Sequence, residues 1–172
     1  MKKALIVVDY QNDFVNGSLG FSGAELIENA IVNLIHKFRE SGDLVVFTKD
    51  THGADYMESV EGMNLPIPHC LKGSEGHDLT PEIQKLVNDS PIFEKNTFPS
   101  LELGNYLKNI QPDEIYLCGL VSDICVFSNA IIAKAACPNA QIYVVKAASG
   151  SPAKDVEEEA YRILNHLHIK TI

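Results

Sequence analysis

The chain has 172 residues with 23 acidic against 14 basic side chains, a formal charge of −9 and a sequence pI near 5.0. Without a Lys/Arg run to displace counterions, nucleic acid and anionic membrane surfaces are disfavoured as partners. Hydrophobic content of 45% and charged content of 22% are those of a soluble globular chain, and the length fits one domain, 1–172, that buries about 70% of its unfolded surface.

Lys3–Asp9 reads as a buried strand, because Leu5-Ile6-Val7-Val8 is continuous rather than alternating, as expected when both sheet faces are covered. Asp9 interrupts this apolar run too early for a signal peptide, and no apolar stretch reaches the roughly 18 residues of a spanning helix. Ala24–Glu40 carries Leu26, Ile27, Ala30, Ile31, Leu34, Ile35 and Phe38 at three- and four-residue intervals, with Gly42 after its end, and predicts a helix. Asp43–Lys49 is the second strand. Asp50–Leu79 follows as a long loop with glycines, prolines and three of the six histidines, a length that points to function.

Thr80-Pro81-Glu82 places a hydroxyl cap before a first-turn proline and starts a short helix. A brief strand at Pro91–Lys95, a helix at Leu101–Lys108 and a strand at Glu114–Cys118 follow. Ser122–Ala136 is a buried helix, and Gln141–Val145, a helix at Ala153–His166 and Ile169–Ile172 complete the chain. Strand-sized runs alternating with helical ones predict an α/β fold, three layers in α-β-α order around a mostly parallel sheet of about six strands. The four cysteines, 70, 118, 125 and 137, lack Cys-x-x-Cys spacing, which points to reduced thiols in the cytoplasm.

Ligands of open parallel sheets bind beyond the carboxyl ends of the strands. Those ends carry Asp9, then Asp50 with His52, then Lys95, then the run from Gly119 to Cys125. Cys118 lies inside an apolar strand and reads as core. Cys125 falls in the first turn of a helix, where peptide N–H groups favour a thiolate. An acid, an amine and a thiol at converging strand ends form a nucleophilic site in which Lys95 favours the thiolate and Asp9 exchanges the proton. The turn Gly119-Leu120-Val121-Ser122-Asp123-Ile124-Cys125 would aim successive backbone N–H groups at one point, as an oxyanion hole does. Asp50 and His52 at i and i+2, with His69 as a third ligand, make a mixed N/O set suited to zinc, iron or manganese. His36, His77, His166 and His168 have no suitable neighbours in the sequence, and Cys70 reads as a bystander.

Val7-Val8-Asp9-Tyr10-Gln11-Asn12-Asp13-Phe14, the Lys95 segment and Gly119–Val126 together resemble the isochorismatase-like cysteine hydrolases. Asp50-Thr51-His52 followed by Pro68-His69-Cys70-Leu71-Lys72-Gly73-Ser74-Glu75-Gly76 is similar to the metal-holding segments of the nicotinamidases. The resemblance implies a catalytic triad of Asp9, Lys95 and Cys125, an oxyanion hole from the N–H groups of Val121 and Cys125, and a cis peptide at Leu120–Val121. It implies a divalent metal, zinc first and iron or manganese as alternatives, on Asp50, His52, His69 and a fourth ligand, Glu58 by spacing or else Glu61. Phe14 and Val121 are the implied substrate contacts. Where nicotinamidases place an aromatic three positions before the metal histidine, this chain has Pro66, so Phe21, Tyr56 or Phe98 would have to complete the ring clamp. The implied activity is cleavage of a small carboxamide, nicotinamide first, through a cysteine thioester, in a homo-oligomer (dimer or tetramer). The alternatives are a cysteine hydrolase of N-carbamoyl or ureido compounds, and a flavodoxin-like binding module with an inert triad. The absence of a phosphate-binding glycine loop weighs against the last.

Overall fold

Burial on both faces decides the architecture. A computed structural model describes residues 2–172, and in it six strands form one all-parallel sheet in the order β3-β2-β1-β4-β5-β6. The strands are β1 (Lys3–Val8), β2 (Leu44–Asp50), β3 (Ile92–Lys95), β4 (Glu114–Leu120), β5 (Gln141–Gly150) and β6 (Lys170–Thr171). In β1, Leu5 and Val7 point into one apolar layer, with Ile31, Ile35 and Phe38 of helix α2 (Glu28–Glu40). Ile6 and Val8 point into the other, with Leu103 and Leu107 of α5 (Leu101–Ile110) and residues of α6 (Phe127–Ala136) and α7 (Lys154–His166). Period-two alternation thus feeds two helical layers from one strand, which is why the sequence reads as continuously apolar. Short helices α1 (Asn12–Val15), α3 (Val60–Asn64) and α4 (Pro81–Gln84) lie between the main elements, α1 after β1, α3 within the long loop expected at Asp50–Leu79 and α4 where a short helix was expected.

Several predicted boundaries move. The helix predicted from Ala24 begins with a 3-10 turn at Glu25–Ile27 before α2, and β5 runs five residues beyond Val145, through an irregularity in its pairing with β4, because its end still pairs with Gly119 and Leu120. Ser122–Ala136 splits into a π-helical turn, Ser122–Val126, and α6. Thr80 stands at the N-cap of α4 but makes no capping bond; its hydroxyl donates instead to Glu28 at 2.6 Å. Gly42 has φ +71, the left-handed conformation expected after a helix end.

β1 lies centrally, with the chain leaving to β2 and β3 on one side and returning to β4 on the other. The crevice of an open parallel sheet forms at such a reversal of strand order. Gly119 is required there: its φ is +117, and a Cβ would lie 2.0 Å from the Val8 carbonyl oxygen. Only a residue without a side chain lets β4 approach β1 this closely where the first strand delivers Asp9. No helix among the described residues is long and apolar enough to cross a membrane.

Candidate active site

Asp9 follows β1 with φ +46, a left-handed conformation unusual for a residue with a side chain. It is fully buried. Thr48 holds it from both directions: the Asp9 N–H donates to Thr48 Oγ1 at 3.2 Å, and that hydroxyl donates to Asp9 Oδ1 at 2.6 Å. The other oxygen, Oδ2, lies 2.7 Å from Lys95 Nζ. Lys95 Nζ also sits 3.4 Å from Asp50 Oδ1, 3.7 Å from Cys125 Sγ, and donates to the Thr97 carbonyl at 3.0 Å. One ammonium group therefore touches two carboxylates and the thiol, and the three residues singled out at separate strand ends meet.

The electrostatics differ from the helix-start thiolate expected from sequence. Burial pushes the Cys125 thiol well above its ordinary range; Lys95 opposes this, while the charges of Asp9 and Asp50 and a hydrogen bond to Asp9 add to it. The net push is toward the protonated sulfur. Cys125 is the fourth residue of a π turn rather than the first turn of an α-helix, and burial outweighs whatever the turn's peptide dipoles contribute. Burial likewise raises Asp9, against the pull of Lys95. Lys95 stays protonated, because the carboxylates and thiol around it outweigh the burial that would lower it. Burial makes the Asp9 carboxyl more basic, and that carboxyl is hydrogen-bonded to the Cys125 thiol, which places a proton acceptor beside the sulfur.

The cis peptide expected at Leu120–Val121 is present. Asn129, buried on α6, donates to the Cys125 carbonyl at 2.8 Å and to the Phe98 carbonyl at 3.1 Å, tying the cysteine turn to the loop after Lys95.

A second cluster adjoins the first. Asp50, His52, Glu61 and His69 bring one ligand atom each within 4.8 Å of one another. Asp50 Oδ2 lies 2.9 Å from His52 Nε2 and 3.2 Å from His69 Nε2, and Glu61 Oε1 lies 3.6 Å from each imidazole. Ligands at about 2.1 Å from a common ion stand about 3.0–3.4 Å apart, so this spacing fits a divalent metal. With His69 Nδ1 donating to the Ile67 carbonyl at 2.9 Å, Nε2 is the ring nitrogen that faces Asp50 and Glu61. Burial works against the Asp50 carboxylate, but hydrogen bonds from His52 and His69 and the charge of Lys95 override it and hold the group below the usual carboxylate range. Asp50 thus joins the clusters, with Oδ1 toward Lys95 and Oδ2 toward the imidazoles.

Glu58, preferred on spacing, is not in this cluster. It closes the 3-10 turn Tyr56–Glu58, whereas Glu61 lies in the first turn of α3, which Ser59 caps by accepting the Gly62 N–H at 2.9 Å. Spacing along an irregular loop could not tell that α3 turns Glu61 inward. We expect Glu61→Ala to weaken zinc binding about 10- to 100-fold and Glu58→Ala to leave it within about twofold, measured by competition with a chromophoric chelator.

Both clusters open on a cavity of about 200 Å³ lined by Phe14, Leu65, Phe98, Val121 and Ile124 among others, with Cys125, Asp50 and His69 at its polar end. An apolar cavity of about 150 Å³ holds a benzene ring, so a single-ring carboxamide fits. Phe14 packs on His69 with ring centroids 5.7 Å apart. Of the three aromatics offered as replacements at Pro66, Phe98 lines the cavity. Tyr56 packs on His52 and His69 instead, and Phe21 lies by Gly150.

Sequence reasoning overlooked the residues that hold these groups in place. Gln11, fully buried, donates to the carbonyls of Asp50 and His77 at 2.8 Å each and accepts the Asp50 N–H at 2.7 Å. Asp13 accepts the Cys70 N–H at 2.7 Å, beside His69. His77, given no role, is buried with Nε2 2.9 Å from Thr51 Oγ1. Cys70 stays outside the ligand cluster, its thiol pushed up by burial.

An acid, an amine and a thiol thus meet at the switch point of a parallel three-layer fold, beside a histidine–carboxylate cluster, an arrangement suited to hydrolysis. The isochorismatase domain pattern matches residues 3–172, and the chain belongs to the isochorismatase family. A nicotinamidase/pyrazinamidase of Mycobacterium tuberculosis is 30% identical over 146 residues, 74% of this chain and 76% of that protein. The crystal structure of a pyrazinamidase of Pyrococcus horikoshii in complex with zinc superposes with TM-score 0.86 at 26% identity, covering 100% of this chain and 99% of that one. N-carbamoylsarcosine amidase from Thermoplasma acidophilum superposes with TM-score 0.80 at 27% identity, covering 99% and 95%. The protein is a hydrolytic amidase of this family.

Proposed function

We propose that this enzyme hydrolyses nicotinamide to nicotinate and ammonia through a thioester on Cys125. The observation that carries this reading is the single cavity in which Cys125 and the histidine–carboxylate cluster face the same apolar, aromatic-lined space. A carboxamide positioned there has its carbonyl carbon at the sulfur and its ring toward Phe14 and Phe98. Asp9 takes the thiol proton, sulfur adds to the carbonyl carbon, and the N–H groups of Val121 and Cys125 receive the developing oxyanion. Asp9 returns the proton to the leaving nitrogen, and ammonia departs as the thioester forms. Water, deprotonated by Asp9, then releases the acid and restores the thiol. Lys95 keeps its charge throughout and compensates the carboxylate that gains and loses the proton. Zinc, with iron or manganese as alternatives, held by Asp50, His52, His69 and Glu61, would supply a Lewis-acidic anchor for a ring nitrogen.

Cleavage of an N-carbamoyl compound by the same three residues is the second reading, favoured by the likeness to N-carbamoylsarcosine amidase and by a ring clamp that lacks an aromatic at Pro66. The four free cysteines support a reducing, cytoplasmic setting. Val60 and Met63, exposed apolar residues of α3, support a homo-oligomer, a dimer or tetramer. Ammonia release from nicotinamide, pyrazinamide and N-carbamoyl amino acids, with and without chelator, tests the assignment. Nicotinamide turnover that falls at least tenfold on metal removal and returns with zinc is expected. Turnover of carbamoyl compounds alone, indifferent to chelation, would select the second reading.

A further inference from the structure

A carboxylate lies buried on α7, away from both clusters. Glu157 is only 6% exposed, and its Oε1 accepts a 2.5 Å hydrogen bond from Ser122 Oγ and a 3.2 Å bond from Tyr161 Oη. Its Oε2 accepts from the mostly exposed Lys154 at 2.9 Å. Ser122 is fully buried and stands directly after Val121, at the start of the turn that ends in the sulfur. A buried carboxylate is costly to maintain when apolar packing would fill the same volume, and a charge-assisted bond to a hydroxyl is short and directional. The far end of the turn is held by Lys95 on Cys125 Sγ at 3.7 Å, by Val126 in the core and by Asn129 on the Cys125 carbonyl. Its start is held by the bonds from Ile124 and Val126 to the Val121 carbonyl and, through a side chain, by Ser122 on Glu157.

We propose that Glu157 is a positioning residue for amide hydrolysis: through Ser122 it fixes the turn that carries the Val121 N–H and Cys125, so that sulfur and oxyanion donors keep their geometry relative to Asp9 and Lys95. The inference rests on the reading of Cys125 as nucleophile. Glu157 touches neither substrate nor reacting atoms, and its effect belongs to kcat rather than to substrate affinity. The hydroxyl–carboxylate pair acts as a unit, so removing either member has the consequence of removing both. Glutamine keeps an acceptor oxygen for Ser122 and therefore keeps most of the function.

The experiment compares Glu157→Ala, Ser122→Ala, their double variant and Glu157→Gln as zinc-loaded proteins. It reads steady-state hydrolysis of nicotinamide, the rate of iodoacetamide labelling at Cys125 by peptide mass spectrometry at pH 8, and melting temperature. Expected are a 10- to 100-fold lower kcat with KM within about twofold for both alanine variants, no further loss in the double variant, and a change of at least fivefold in Cys125 labelling. Glu157→Gln should return to within about fivefold of the parent in both readouts. Parental kcat and labelling in Ser122→Ala, the smallest change, would overturn the inference, as would losses that follow melting temperature alone and are not restored by Glu157→Gln. Labelling needs no substrate, so if the parent does not hydrolyse nicotinamide the function proposed above fails while the labelling ratios still decide the role of Glu157.

Discussion

Cys125→Ala should abolish amide hydrolysis, with kcat lower by about 10⁴-fold or more and zinc content unchanged. The sulfur is the bond-forming atom in this reading, and neither Asp9 nor Lys95 can replace it as a nucleophile. Asp9, held by Thr48 and Lys95, is the group that exchanges the proton, and Lys95 stays protonated. Loss of a nucleophile leaves only what substrate binding and the oxyanion donors contribute, whereas losing one oxyanion donor typically costs about 3–4 kcal/mol. Because Cys125 is not among the clustered ligands, metal analysis separates a chemical defect from a collapsed site. Ammonia release from nicotinamide under single-turnover conditions is the measurement. Retained turnover in the alanine variant would mean that a metal-activated water attacks directly, and the thioester would have to be abandoned. Mass spectrometry of the acid-quenched parent should show the acyl adduct on the peptide that contains Cys125.

Lys95→Met is expected to be the most damaging change to stability and to activity together. It removes the cation that, among the described residues, pairs with Asp9, a carboxylate with no exposure at all, and one of the groups facing Asp50. Breaking a buried pair from one side leaves the other charge without compensation, at about 3–5 kcal/mol. Urea unfolding at neutral pH should show that loss as a lower midpoint with an unchanged slope. The paired control is Lys95→Met with Asp9→Asn. With no unpaired charge left, this double variant should recover a large part of the stability lost in the single one while remaining inactive. Equal instability in both would show that packing of the lysine stem, and not its charge, is what the site requires.

The sequence was informative about this protein where one physical rule dominates locally. The continuous apolar run of β1 required two covered faces, and the three-to-four-residue rhythm of α2 required one. Alternation of such segments left a parallel α/β sheet as the economical solution, and the strand ends named Asp9, Asp50, Lys95 and the turn to Cys125 as the place for chemistry. Resemblance added the roles. The candidate ligands were legible in part: Asp50 and His52 flank one residue at a strand end, while His69 was carried chiefly by the resemblance of Pro68–Gly76 to the metal-holding segments of nicotinamidases.

What only the tertiary structure decided concerns contacts made across sequence distances that no local rule spans. Glu61 rather than Glu58 meets the histidines because Ser59 starts a helical turn and points the later residue inward. Thr48, Gln11, Asn129 and Glu157 read as ordinary polar residues in the sequence, yet each becomes buried against a partner 29 to 66 positions away. The protonation state of Cys125 is the clearest case. A cysteine near a helix start suggests a thiolate, but the balance depends on how completely the fold removes water and how many negative groups share the space, and here burial with Asp9 and Asp50 pushes the thiol upward against the pull of Lys95. Sequence specifies which groups are available; desolvation and distance, which exist only once the chain has folded, determine what state those groups are in.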